Sequence, residues 1–462
     1  MRQTFIAVIA LAVFGLSANS AEPPLIKAAY EDDGERVAEL LAAGTDANRK
    51  NDYGVAALSL AAQNGNAMIV RLLLEAGADP DTNLRGGETA LMTAARTGRP
   101  EPVALLLKHG AKVDSKDWAQ QDALIWAVAE GHAEVVRLLL EAGADADRTL
   151  KSGFTPLFFA ARNGHHEVVE LLLKHGVDPT IASTNETKAR KGISKRTTAL
   201  RLAVENGHFA AAIALLDAGA DPNDEQSGHS PLHVLSWVRK PNRGDGEDGL
   251  PPPAIKGDLT TLDFARLLVG KYGAEVNRPI SNRPTAGPNF GTRGATPFLL
   301  ACKSADLPYL KLLHELGADP EAIDQEGSTA LLTAVGVSSR NPEEEAGIES
   351  EAIEVVRWLL ENGAEVNAVN RNRETAMHGA AYRNWPKMVD LLAGAGADIE
   401  IWNQTNKRRW TPLLIAQGFR PGNFKPSAAT EEAIALVMKE NGVTPPPAPE
   451  RPLVGKPEAY QP

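Results

Sequence analysis

The chain has 462 residues, 43% hydrophobic and 23% charged, with a formal net charge of −11. This composition has enough apolar residues to bury a core, and its acidic balance lacks the cationic footprint of a general nucleic-acid binder. The single cysteine, Cys302, excludes an internal disulfide framework, so packing must hold the fold.

The N-terminal twenty residues stand apart. Arg2 precedes an apolar run from Phe5 to Leu16 and then Ala18-Asn19-Ser20. A basic start, a short apolar centre and small residues at a cut site describe a secretory signal, with cleavage expected after Ser20. The run is too short to span a bilayer, and no other segment approaches membrane length. The expected product is exported, periplasmic or secreted, and free of the membrane once cleaved.

From residue 24 onward similar units recur: "VRLLLEAGADPDTN", "VALLLKHGAKVDSK", "VRLLLEAGADADRT" and "VELLLKHGVDPTIA". Their glycines, Gly77, Gly110, Gly143 and Gly176, are spaced by 33. Gly44, Gly219, Gly273, Gly317, Gly363, Gly396 and Gly442 extend the series to eleven units. Glycine suits the left-handed residue that ends a helix, where a side chain is strained. Upstream of each glycine runs a second pattern, as in "TPLFFAARNGH" at Thr155 and "TPFLLACKS" at Thr296. Thr caps a helix start, and Pro fits the first turn because no amide donor is needed there. Each unit therefore predicts a short helix, a turn, a longer helix and a projecting loop. Ala56 and Asp122 stand where Thr is usual, and weaker helix starts are expected there.

The 33-residue period, T-P-L-H-x-A-A, N-G-H and L-L-L-E-x-G-A-D together resemble the ankyrin repeat, over residues 24 to about 442. The resemblance implies an all-α repeat solenoid of about eleven helix-turn-helix units with hairpin fingers. The domain plan is a signal at 1–20, a repeat domain at 21–442, and a Pro-rich disordered tail at 443–462. Polar residues on the end units (Glu31, Asp32, Glu431, Glu432) read as solubilising caps.

In the second half the period breaks. The usual gap from glycine to the next helix start is 12 residues, as from Gly143 to Thr155, but it is 22 from Gly176 to Thr198, 23 from Gly273 to Thr296 and 15 from Gly396 to Thr411. These insertions enlarge fingers. Others enlarge the turn between paired helices on the opposite edge, as where the usual gap of 21 from helix cap to glycine (Thr155 to Gly176) grows to 43 from Ser230 to Gly273. The finger insertions carry Lys188, Arg190, Lys191, Lys195, Arg196, Arg278, Arg283, Arg293, Lys407, Arg408 and Arg409 against one acid, Glu186. A positive edge on an acidic protein steers an acidic partner toward it.

No P-loop, G-x-S-x-G or H-E-x-x-H is present. Most histidines fall at repeat positions, and His166, His229 and His314 form no ligand spacing. "RGD" at Arg243 is a triplet that chance can supply, and "DGEDG" at Asp245 lacks the alternation of a calcium loop. No cofactor, metal or catalytic residue is expected. In ankyrin repeats partner contacts cluster before the T-P and after the A-A, which here are Phe154, Trp410, Arg162, Lys303 and Tyr382; Trp126 and Phe159 are expected to face the core. The chain reads as a non-enzymatic, monomeric scaffold binding an acidic protein through its concave face and basic fingers. Regulation of an exported enzyme, or binding of an anionic surface polysaccharide, are the alternatives.

Overall fold

The computed structural model describes residues 22–183, 196–226, 228–241, 253–255, 257–281, 293–337, 346–419 and 426–446. The expected signal segment, the basic residues Lys188, Arg190, Lys191, Lys195 and Arg283, the Arg243 tripeptide and most of the tail lie outside them. The described residues form 23 helices, eleven pairs and one extra turn, Ile399–Trp402. They divide into two compact units: residues 1–203 with 210–220, and residues 204–209 with 221–462.

In the first unit the period is written directly into the burial. The first helices Ala57–Asn64, Ala90–Thr97, Ala123–Glu130 and Pro156–Asn163 all sink a leucine at the same register, Leu58, Leu91, Leu124 and Leu157. The alanines Ala61, Ala94, Ala127 and Ala160, all with 0% exposure, let neighbouring helices approach closely. The second helices sink Val70, Val103, Val136 and Val169 with the leucine three residues on. These positions share one face of a helix, so each pair has an apolar stripe that only its neighbours can cover.

The expected glycines all take positive φ, from 74° at Gly273 to 99° at Gly219. At Gly77 the amide donates to the Leu74 carbonyl and the Ala78 amide to that of Leu73, a Schellman end that satisfies the last carbonyls. Gly131 has a second constraint besides its φ of 82°: a Cβ there would lie 2.4 Å from the ring of His165. The His165 Nε2 lies 3.1 Å from the Ala129 carbonyl, where the ring N–H donates across the repeat boundary.

Two sequence expectations are corrected. Asp122 caps its helix as well as Thr does, its carboxylate accepting from the Ile125 amide at 2.9 Å. That carboxylate is buried and paired with Arg148 at 2.9 Å; burial pushes its pKa up, against the opposing pull of its partners. Ala56 makes no side-chain cap, as expected. Within the aromatic helices, Ile125 and Phe158 face the core, with 0% and 1% exposure, whereas Trp126 and Phe159 are only half-buried. Helix register places the core one residue earlier than their size suggests.

The second unit uses the same grammar, including an asparagine tie that Asn48 makes to Gly77 and Asp79 in the first unit. Asn223, Asn277 and Asn367 each bind the following repeat twice; the Asn277 amide donates to the Gly317 carbonyl at 3.0 Å and its oxygen accepts from the Asp319 amide at 2.8 Å. The long turn after Pro231–Arg239 also begins from a fixed point. Arg239 forms a two-pronged pair with Asp306, 2.6 and 3.0 Å, and donates to Thr261. Lys240 continues the staple, pairing with Glu351 at 2.6 Å.

Candidate protein-interaction surfaces

In the second unit the fingers at Asp324, Asn370 and Asn406 are each closed by a side chain that imitates a turn. Asn370 Oδ1 accepts from the amides of Asn372 and Glu374, and Asn406 Oδ1 from those of Arg408 and Trp410. Successive fingers are tied by single backbone bonds: Gln325 N–H to the Arg293 carbonyl at 2.7 Å, Arg371 to Glu326 at 2.8 Å, Lys407 to Asn372 at 2.9 Å. The last two fingers therefore lie side by side and present Arg371, Arg373, Lys407, Arg408 and Arg409, all exposed. Arg408 sits over the Trp410 ring at 5.7 Å. At the tips of these and the preceding finger the acids are engaged inward, while Glu365, Asp398 and Glu400 lie exposed at the finger bases. Glu374 is buried and accepts from the Tyr382 hydroxyl at 2.8 Å and from Asn370 at 3.2 Å; Glu326 accepts from Asn372 at 3.2 Å.

Lys407, Arg408, Arg409 and Trp410 are thus brought together, and Arg371 and Arg373 join them. Sequence reading missed that pair because their finger has ordinary length; the string "NRNRE" from Asn370 was the available signal. Arg278 has a different role. It lies between Glu225 at 3.2 Å and Glu275 at 3.1 Å, which raise its pKa despite an opposing desolvation effect, so its charge is internally compensated. Arg293 is exposed, and its carbonyl ties its finger to the next. Lys303 is half-buried at the end of Pro297–Lys303. Tyr382 is 4% exposed, its hydroxyl also accepting from Asn406 at 3.0 Å. It is part of the finger's foundation rather than an exposed contact.

The first unit carries a separate aromatic and arginine row. Arg96 lies over the Trp126 ring at 5.7 Å and pairs with Glu88 at 3.1 Å, and Thr93 donates to the same carboxylate at 3.0 Å. Phe154 contacts Phe159 at 4.8 Å, and the exposed Arg162 covers it at 5.4 Å. Phe154 is consequently 8% exposed, and it is Phe159, half-buried, that reaches the surface. Arg196 stands exposed at a fingertip of this unit. On the fingertip at Trp118 the indole is 79% exposed, while its backbone amide is held by Gly86 at 3.0 Å. Aromatic and arginine side chains in such positions are ordinary material for binding hot spots.

The histidines at helix starts are structural. His233 Nδ1 accepts from the Ser230 amide at 3.2 Å and its Nε2 lies 3.2 Å from the Ala295 carbonyl; His378 repeats this with Thr375 and Trp410. Burial drives both imidazoles down to about 4, so they stand neutral. Cys302 is fully buried, which pushes its thiol up and away from reactivity. Among the described residues no cluster of three His, Cys, Asp or Glu could hold a metal, and no helix is long and apolar enough to cross a membrane.

Paired helices stacked through Schellman ends, with fingers joined edge to edge, define a repeat protein built for surface recognition. Residues 25–117 and 118–183 match the family described as ankyrin repeats (3 copies), 346–393 that of ankyrin repeats (many copies), and 196–225 the single ankyrin repeat. These matches cover just over half of the sequence, and the chain belongs to the ankyrin repeat family. It is similar to the probable 26S proteasome regulatory subunit p28 of Saccharomyces cerevisiae, 33% identical over 27% of this chain and 48% of that protein. It is also similar to human ankyrin repeat and SOCS box protein 6, 32% identical over 34% of this chain and 32% of that protein. The chain spans about half or less of the length of these relatives.

Proposed function

We propose that this chain is a non-enzymatic interaction scaffold that captures an acidic surface of another protein along the finger edge of its second unit. The observation that carries the reading is the set of five exposed cations at the tips of two hydrogen-bonded fingers whose tip acid, Glu374, is turned inward. An ankyrin-repeat array is a protein-interaction module, and one relative is named as a probable proteasome regulatory subunit, which supports a role in assembly. A preformed edge of this kind binds with little ordering cost and gains on-rate from its field.

Arg371→Glu, Lys407→Glu and Arg408→Glu in one chain are expected to cut capture of an acid-surfaced partner by at least tenfold, about 1.4 kcal/mol. The wild-type capture should weaken as ionic strength rises. An identical set and yield of captured proteins, with unchanged salt dependence, would sink the reading.

The N-terminal segment belongs to the same proposal as an export signal. The mature protein from its native host is expected to begin at Ala21, with intact mass and N-terminal sequencing as the check; a retained Met1 would refute it.

A further inference from the structure

Ten fingers share a corner two residues before the helix cap, and that corner requires positive φ. Glycine occupies it at Gly54, Gly87, Gly153, Gly228, Gly294 and Gly327. The exceptions are Gln120, and three arginines: Arg196 at 61°, Arg373 at 62° and Arg409 at 65°. An L-residue pays backbone strain in this region that glycine does not, and arginine lacks the short polar side chain that lets Asn or Asp tolerate it. Space is also short at several of these corners. A Cβ on Gly294 would lie 3.0 Å from the next finger's backbone nitrogen at Gln325, and one on Gly327 would lie 3.3 Å from Arg371. Glycine is thus the residue the backbone prefers, yet two consecutive fingers of the second unit replace it with an exposed cation.

Resting on the interaction reading above, we infer that Arg373 and Arg409 are recognition residues held at a cost to backbone stability, and that their ligand is an extended, carboxylate-rich protein segment. Strained positions that persist are a pointer toward function, and the inference here runs from the observed φ values to the role. Their chemistry names the ligand class. A guanidinium presents a planar fork that grips a carboxylate with two hydrogen bonds, which a lysine cannot do. The two fingers are joined by the Lys407 amide on the Asn372 carbonyl at 2.9 Å. Adjacent repeats stack about 8–10 Å apart, which matches about three residues of extended chain at 3.3 Å each. Acidic side chains recurring at every third residue would meet the arginines in register, with Arg371, Lys407 and Arg408 supplying the surrounding field.

The test pairs stability with affinity in the full chain. Arg373→Gly, Arg409→Gly and the double variant are compared with Lys311→Gln and Lys387→Gln, which remove equal charge from exposed positions on second helices. The probe is a fluorescein-labelled peptide with Glu at every third residue in a Gly/Ser spacer, read by anisotropy. The glycine variants are expected to melt about 1–3 °C higher, while each loses about tenfold in peptide affinity; the glutamine variants should change affinity less than twofold. A lower melting temperature in the glycine variants would overturn the strain argument. Affinity losses no larger than those of the glutamine controls would overturn the recognition role. If wild-type protein ignores the peptide but binds a heparin oligosaccharide, the ligand class is overturned in favour of a sulfated polymer. If it ignores the peptide yet still captures a protein that the charge reversals release, this inference fails while the broader scaffold reading stands; loss of both phenotypes would sink the two together.

Discussion

Replacing Arg239 with alanine is expected to lower the melting temperature by about 10 °C. Arg239 is the point where the second unit is bolted together. Its guanidinium makes both bonds to Asp306, donates to Thr261 and lies 5.7 Å from the Tyr309 ring centroid. Asp306 is 1% exposed and also caps the helix Leu307–Glu315 through the Tyr309 amide. Tyr309 in turn donates to the Leu232 carbonyl at 2.7 Å, so one cluster ties two repeats. Removing one partner of a buried pair strands the other charge without compensation, a cost of about 3–5 kcal/mol, and each kcal/mol moves a domain of this size by about 2–4 °C. Asp306→Asn should cost less, because asparagine still caps the helix. A double-mutant cycle between the two sites should show strong non-additivity. A shift under about 2 °C for Arg239→Ala would mean that the pair behaves like an exposed one.

Acid should destabilise the second unit selectively, with His233 and His378 responsible. Both are fully buried and held at about 4 by burial, against 6.5 for a free imidazole. The charge of Arg278 adds to the depression at His233. Between pH 6.5 and 4 the unfolded chain binds protons at these sites and the folded chain does not, so stability falls as pH falls through that window. For a shift of this size the loss between pH 7 and pH 5 is about 2 kcal/mol per histidine. The equivalent helix-start positions of the first unit are Ser59, Met92, Ile125, Phe158 and Arg201, none of which titrates in this range. Urea titrations at the two pH values measure the effect. Combined His233→Asn and His378→Asn should be less stable at pH 7 but lose most of the slope; an unchanged slope would place the acid sensitivity elsewhere.

The parts of the fold legible in the sequence were those set by local backbone demands. Gly77 and its counterparts had to be glycine because the helix-ending residue is left-handed, and their spacing gave the repeat. Thr155 and Pro156 marked a helix start by capping chemistry alone. The basic insertion ending at Arg409 was visible because it lengthened the period. What failed to show was set by register and by neighbours. Phe158 and Phe159 are equally apolar, and only the docked helix decides that the first is core. Asp122 caps its helix by a local bond to the Ile125 amide, but its burial against Arg148, 26 residues on, is set by the stacked repeats. Arg371 and Arg373 occupy a finger of normal length, so length gave no warning of them.

By itself the sequence determined the repeat, its helix boundaries, the positions of its fingers and the sign of their charge, because each follows from interactions within a few residues of chain. Only the tertiary structure decided which charges remain available. Arg278 and Arg408 are both fingertip cations by sequence, yet Arg278 is met by Glu225, 53 residues away, while Arg408 stands exposed over Trp410. Charge compensation depends on separations of a few ångströms between residues remote in sequence, and those distances exist only once neighbouring repeats have stacked.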